Sequence, residues 1–444
     1  MIRTLAAVAL LAAPAHAVDI QEVTSPGGVE AWLVEEPSLP FVALELRFMG
    51  GAALDAPGAQ GAVHLMAATL EEGAGDLDDE AFAAAREALA ARYGFDAGAD
   101  SVSVSARFLT ETRDEAVALL RDALAEPRFD EVAVDRVRDQ VLSGIRSDAT
   151  DPNAIAGETF AALAFGDHPY GGPVEGTAES VAALTPQDVR EAHERALTRD
   201  RVVAAAVGDI DAETLGRVLD ELLGDLPEEG APLPGPAEVT LDGGVEVVPL
   251  DTPQSVILFG HEGILRDDPD YIPAYVLNEI LGGSGFDGRL MEEVRVARGL
   301  TYGIYSYLAP RELAATYQGR VATANATAGE VVDAVREEWR RMAEEGVTEA
   351  ELEEAVTYLT GAYPLRFDGN ARIADILVGM QITGLSPSYV DERNDLVRAV
   401  TLADLSRVAE RLLKPEALTF VVVGQPEGLE DEADASLEEA AVTE

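Results

Sequence analysis

The chain has 444 residues, room for two large domains or three of roughly 150 residues each. With 82 acidic against 32 basic side chains the formal charge is −50, a surface that repels phosphate backbones and excludes nucleic acid as a partner. Cysteine is absent, which removes disulfides, thiolate metal sites and cysteine nucleophiles and leaves five histidines (His16, His64, His168, His193 and His261) as imidazole donors.

Residues 1–17, MIRTLAAVALLAAPAHA, join a positive start at Arg3 to an apolar run and an Ala15-His16-Ala17 small-x-small site. That pattern predicts a secretory signal peptide, too short to span a bilayer. The mature chain then begins near Val18 and is exported and periplasmic, and no later stretch is apolar enough for a membrane span.

Strands are predicted at 29–34 and 41–48, the second with clear polar–apolar alternation. A Gly/Ala/Pro loop over 50–60 leads to helices at 62–72 and 79–92. A strand at 101–109 and helices at 111–125 and 131–147 follow. The run Asp167-His168-Pro169-Tyr170-Gly171-Gly172 reads as a loop, and Thr185-Pro186-Gln187-Asp188 as the cap of a helix ending near Ala196. A strand at 201–208 and a helix at 212–223 close the first half, 18–225.

Residues 226–242 begin Leu226-Pro227-Glu228-Glu229-Gly230 and continue rich in Pro and Gly, a linker. The second half, 243–425, repeats the order. Strands are predicted at 245–249 and 254–261, helices at 270–281 and 287–297, strands at 302–308 and 315–323, and helices at 328–345 and 348–361. A helix at 402–412 and a strand at 418–424 end it. Thr401-Leu402-Ala403-Asp404 echoes Thr185-Pro186-Gln187-Asp188, as expected of an internal duplication. Residues 426–444 hold eight acidic groups and no basic one, an acidic, disordered tail.

Read singly, His168 is a turn or interface residue, His193 a solvated position on a charged helix, and His261 the end of a strand without a ligand partner at metal spacing. Leu281-Gly282-Gly283-Ser284-Gly285 lacks the Lys-Ser/Thr of a phosphate loop and reads as a place of close backbone approach.

Several words in fixed order carry a family resemblance. They are Gly61-Ala62-Val63-His64, His168-Pro169-Tyr170-Gly171-Gly172-Pro173, Leu184-Thr185-Pro186, Arg289-Leu290, Glu293-Val294-Arg295 and Arg298-Gly299-Leu300-Thr301-Tyr302. Over nearly the whole mature chain the sequence resembles the pitrilysin-like peptidases with the inverted zinc motif. The resemblance implies an α+β fold of two homologous halves, each an αβ sandwich with a mainly antiparallel sheet, forming a clam-like chamber.

In active members of that family zinc sits on H-x-x-E-H, where two histidines share a helical face and the glutamate activates the bound water. The matching stretch here is His64-Leu65-Met66-Ala67-Ala68. His64 remains, but Ala67 stands at the general-base position and Ala68 at the second ligand position. The distal ligand position, matched in Val141-Leu142-Ser143-Gly144-Ile145, is Gly144. Glu71 and Glu72 lie about two turns beyond His64, too far to restore the set. The expected state is therefore a chain with no zinc of its own and no peptidase activity alone.

By composition Arg295 is a surface helix residue and Tyr302 the first residue of a strand. The resemblance gives them another meaning: active assemblies carry an Arg/Tyr pair at this spacing that reaches the substrate carbonyl from the opposite half. The implied function is that of a non-catalytic, substrate-binding subunit of an exported heteromeric zinc peptidase. Its partner would be a homologous zinc-bearing subunit, and its substrate a peptide or unfolded polypeptide. The alternatives are a pseudo-peptidase scaffold without proteolytic role, which has no reason to keep the pair, and an enzyme with a rebuilt metal site, which the missing ligands disfavour.

Overall fold

The computed structural model describes residues 18–283 and 288–429. The predicted signal peptide, Ser284-Gly285 and the tail beyond Leu429 lie outside the described residues.

In the first half the strands are β1 (Gln21–Thr24), β2 (Glu30–Glu35), β3 (Phe41–Met49), a short β4–β5 hairpin (Gly73–Ala74, Leu77–Asp78), β6 (Arg92–Ala97), β7 (Ser101–Leu109) and β8 (Val202–Gly208). The helices are α1 (Ala62–Thr69), α2 (Asp79–Ala88), α3 (Arg113–Ala125), α4 (Glu131–Asp148), α5 (Pro152–Phe165), α6 (Ala178–Ala183), α7 (Pro186–Ala196) and α8 (Ala212–Leu223). The main sheet runs β1-β2-β8-β3-β7-β6, antiparallel except where β2 meets β8.

The second half supplies β9 (Gly244–Pro249), β10 (Gln254–Glu262), β11 (Thr301–Pro310), β12 (Ala315–Ala324) and β13 (Thr419–Gly424). Its helices are α9 (Tyr271–Gly282), a π-helix over Met291–Ala297, α10 (Ala328–Glu345), α11 (Glu349–Ala362), α12 (Asn370–Ile382), α13 (Tyr389–Arg398) and α14 (Leu402–Leu412). This sheet runs β9-β13-β10-β12-β11, again with one parallel pair, β9 with β13. It reproduces the order β2-β8-β3-β7-β6 strand for strand. The repeat read in the sequence is thus a repeat of topology. It extends to the caps: Thr185 with Asp188 and Thr401 with Asp404 form the same reciprocal capping box.

Each sheet carries helices on both faces, so its central strands are apolar on both sides rather than alternating. In β8, Ala204 and Ala206 join the core under α1, α3, α7 and α8, while Ala205 and Val207 face a second cluster. In β13, Phe420 and Val422 face one core and Val421 and Val423 another. The second layer is exchanged between the halves. Helix α12 lays Ala374, Leu377 and Val378 against Trp32, Ala205 and Val207 of the first sheet. Helix α5 lays Ala156, Phe160 and Ala164 against Val256, Leu258 and Val421 of the second. Both are the third helix after their hairpin, so the exchange joins equivalent elements.

The linker has no helix or strand but is not a free tether. Arg199 and Asp200 donate backbone N–H groups to the Pro227 and Glu228 carbonyls, and Ala237 and Thr240 donate to Leu313 and Ala164. The packed chain also runs past the predicted start of the tail. Leu429 is buried, and the Glu427 N–H meets the Asn325 carbonyl at 2.9 Å.

Several sequence expectations change. The helix expected over 79–92 stops at Ala88, and Arg92–Ala97 pairs with β7 instead. Helices α5, α6, α12 and α13 and strand β1 were not foreseen. His193 is not solvated: it is buried, its Nε2 lies 2.7 Å from the Leu124 carbonyl oxygen, and Phe129 meets its ring edge-on.

Candidate functional site: a lost metal helix and an exposed Arg/Tyr element

The helix that carries the degenerate motif is well built. Asp55 accepts from the Gly61 and Val63 N–H groups at 2.6 and 2.8 Å, anchoring the start of α1. Burial pushes the Asp55 carboxyl up to about 6, against the opposing pull of those bonds and of Arg195. Gly61 turns into the helix at φ +89°, where a Cβ would strike the Glu175 carbonyl, so that corner requires glycine.

The donors are what is missing. His64 is half-buried and its Nδ1 has no hydrogen-bond partner, while Ala67 is buried, Ala68 exposed, and Gly144 an exposed position on α4 with open space around it. Helices α1 and α4 do pack together, so the scaffold that would converge the ligands is intact. Glu71 pairs with Arg86, and Glu72 with Arg136 at 2.6 Å, so neither is turned to His64's service. Among the described residues no group of three His, Cys, Asp or Glu side chains is placed to hold a metal. One imidazole beside two alanines and a glycine does not fit zinc, which needs three protein ligands in a catalytic site.

The second-half element is built differently. Arg289 is clamped by Glu351 (2.6 and 2.9 Å) and donates to the Gly346 carbonyl, which fixes the approach to the π-helix against α11. Burial raises the Glu351 carboxyl, but Arg289 and the Thr348 cap outweigh it and hold it down at about 2. Val294 is buried in the second core, and Arg295, next to it and half-buried, passes Met291 Sδ at 4.0 Å. Glu293 is taken up by Arg298. Gly299, at φ +65°, ends the helix and turns the chain into β11.

Strand β11 is the edge of its sheet, and its start is irregular. Thr301 pairs with Thr323, but the next register pair is Ile304 with Val321, so one extra residue is accommodated at Tyr302-Gly303. The Thr301 hydroxyl fixes this bulge by bonding the Ala322 carbonyl and accepting from the Gly303 N–H. Such bulges re-aim side chains. Tyr302 is left 91% exposed, with Val296 and Tyr305 exposed near it in the chain. The π-helix packs on β11, so Arg295 and Tyr302 lie on adjoining elements. Gly282 allows this tight packing: a Cβ there would crowd Ser306 of β11 and Leu290.

The remaining family words are structural. His168 Nδ1 accepts from the Tyr170 N–H, and its Nε2 meets the Gly235 carbonyl of the linker at 3.1 Å. Tyr170 bonds Asp100 and accepts from the Leu313 N–H across the halves. His261 is buried beneath Trp339 rather than simply ending a strand.

Two matches agree with this architecture. Residues 31–178 match the family described as insulinase (peptidase family M16), and residues 183–359 match the peptidase M16 inactive domain. The chain belongs to the M16 family, the insulinase and pitrilysin group. It is 27% identical over 391 residues to the non-peptidase homolog YmxG of Helicobacter pylori, covering 88% of this chain and 90% of that one. It is 26% identical over 401 residues to an uncharacterized zinc protease of Streptomyces coelicolor, covering 89% and 87%. Among solved structures, a peptidase M16 inactive domain from Pseudomonas fluorescens superposes with a TM-score of 0.85 at 28% identity, over 92% of this chain and 98% of that one. A chain of complex III2 from Candida albicans shares the fold, with a TM-score of 0.77 at 17% identity over 95% and 99%. No helix among the described residues is long and apolar enough to cross a membrane.

Proposed function

We propose that this chain is the non-catalytic, substrate-binding subunit of an exported zinc peptidase. In this reading a homologous partner holds the zinc, and this chain supplies Arg295, Tyr302 and half of the chamber that receives a peptide or unfolded polypeptide. The observation that carries it is the exposure of Tyr302. A tyrosine that leaves 91% of its surface in solvent contributes almost nothing to folding, yet a bulge, a hydroxyl and a π-helix are arranged to present it. A phenol and a guanidinium are donors suited to a peptide carbonyl as its oxygen gains charge. The similarity to a relative named a non-peptidase homolog supports the lack of independent activity.

The test is steady-state cleavage of an unstructured peptide by this chain mixed with an M16 partner bearing the intact H-x-x-E-H motif. The mixture should cleave well above either chain alone. Tyr302→Phe or Arg295→Ala should lower turnover about a hundredfold to a thousandfold, because losing one such donor costs about 2.7–4 kcal/mol at the transition state. The Michaelis constant should change less, since the neutral ground-state carbonyl needs the donor less. If both variants cleave at the wild-type rate in a complex that stays intact by size exclusion, the chain is a scaffold. Export is checked separately: N-terminal sequencing of the native protein should begin near Val18, and a chain beginning at Met1 would remove the periplasmic assignment.

A further inference from the structure

Away from the Arg/Tyr element, a cavity of about 360 Å³ opens between α9, α12, α13 and the turn Tyr363–Arg366 that follows α11. Its lining includes three arginines, Arg266, Arg366 and Arg393. The one carboxylate in the lining, Asp375, is already engaged by Arg47 at 2.7 Å. Among the described residues no carboxylate pairs with any of the three guanidinium groups, whereas arginines elsewhere in the chain are commonly ion-paired. Scarcity is no explanation in a chain with 82 acidic groups against 32 basic.

Aromatic rings hold two of the three, Arg266 and Arg393. The Arg393 guanidinium lies 4.6 Å over the Tyr363 ring and 5.4 Å from that of Tyr275. Its Nη1 donates to the Leu359 carbonyl at 2.7 Å and to Asn394 Oδ1 at 2.9 Å. Arg266 lies 4.3 Å over the Tyr271 ring, and its Nη2 donates to the Tyr389 hydroxyl at 2.8 Å. Burial pushes the Tyr363 hydroxyl up to about 12. Arg393 is only 4% exposed while Arg366 is exposed, so the cavity carries positive charge at depth and at its rim. A buried guanidinium is ordinarily matched by an anion, because its desolvation is otherwise uncompensated.

We propose that this cavity binds a small organic carboxylate with an aromatic or apolar body. The carboxylate would meet the guanidinium forks, for which planar two-point pairing is the natural geometry. The tyrosine rings would pack on the body. The volume is that of a small-molecule site. Nothing in this proposal depends on Arg295, Tyr302 or a zinc-bearing partner.

The test uses the whole mature chain and two probes of the same shape, phenylacetate and phenylacetamide, with binding followed by calorimetry and ligand-observed NMR. Phenylacetate should bind, and phenylacetamide at least about tenfold more weakly, a difference of about 1.4 kcal/mol. Arg366→Gln should weaken phenylacetate about tenfold with an unchanged melting temperature, because Arg366 is exposed and packs little. Arg393→Gln should abolish binding, but that side chain also supports the ring cluster, so the exposed variant decides. The proposal is overturned if acid and amide bind equally, if the acid does not bind at about 10 mM, or if Arg366→Gln leaves its affinity unchanged.

Discussion

At the scale of single residues, the histidines show how environment decides chemistry. His64 keeps the family position but has lost its co-ligands, so one imidazole on a sound helix is all that remains. His261 sits fully buried, its Nε2 accepting from the Trp339 indole N–H at 2.9 Å and its Nδ1 2.6 Å from the Glu262 carbonyl oxygen. This arrangement requires a neutral ring protonated on Nδ1. Burial, first, pushes its pKa down to about 4, with Lys414 adding to the effect and Glu262 opposing it. The unfolded chain takes up a proton below about 6.5, while the folded chain does so only near 4. The stability from this group is therefore complete above pH 6.5 and is lost as pH falls toward 4. At pH 5 the loss is about 2 kcal/mol. Acidification also relieves repulsion in so acidic a chain, so the comparison must be with His261→Gln under the same conditions. In urea unfolding, wild type should lose about 2 kcal/mol more than this variant between pH 7 and pH 5. Equal losses would mean that the ring is not held neutral.

At the scale of elements, what was legible in the sequence follows from periodicity. Strand β7 alternates, β3 alternates in sequence over Leu44-Glu45-Leu46-Arg47-Phe48 although packing buries both of its faces, and α7, α8, α10 and α14 each carry one apolar face, so all were predicted close to their observed ends. The capping boxes at Thr185 and Thr401 marked two helix starts to the residue. Helices α5 and α12 were missed for a physical reason. Each lies on the second sheet face, between the halves, and α5 in particular spreads Ala, Ile, Phe and Leu around its circumference instead of along one stripe. The helix predicted over 79–92 runs four residues too long because the stretch up to Ala91 is alanine-rich, and strand β6 just beyond it has no predicted element, since Gly94 and Asp96 interrupt any strand pattern and only pairing with β7 makes it one. For the site, the spacing of Arg295 and Tyr302 was readable through the resemblance, and so was the loss at Ala67, Ala68 and Gly144. The β11 bulge was not, since it is a difference in pairing between two strands that no local pattern records. The arginine–tyrosine cavity was equally invisible: its arginines and tyrosines come from segments 266–275, 363–366 and 389–393, brought together only by packing.

At the scale of the whole molecule, the exchanged helices determine what can move. Because α12 seals the first sheet and α5 the second, the halves are joined by two buried clusters as well as by the linker, Tyr170 and His168. In the proposed heteromeric assembly, any opening and closing movement would therefore belong between the subunits rather than between the halves of this chain. The same exchange predicts that neither half is a stable domain. A fragment of residues 18–242 keeps β2 and β8 but loses α12, which exposes Trp32, Ala205 and Val207 and removes Leu377, Val378 and Met380 from their cover. At roughly 1.5–3 kcal/mol for each large apolar side chain, the three α12 residues alone represent about 5–9 kcal/mol. That is comparable to the whole stability of an ordinary domain, about 5–15 kcal/mol. Expressed alone, residues 18–242 and 243–444 should each aggregate or show no cooperative thermal transition. Co-expressed, they should form a soluble 1:1 complex that melts cooperatively, because the two helices restore each other's sheets. A monomeric 18–242 fragment with a sharp transition near that of the intact chain would show that the α12 layer is dispensable. The chamber movement would then have to be sought within the chain after all.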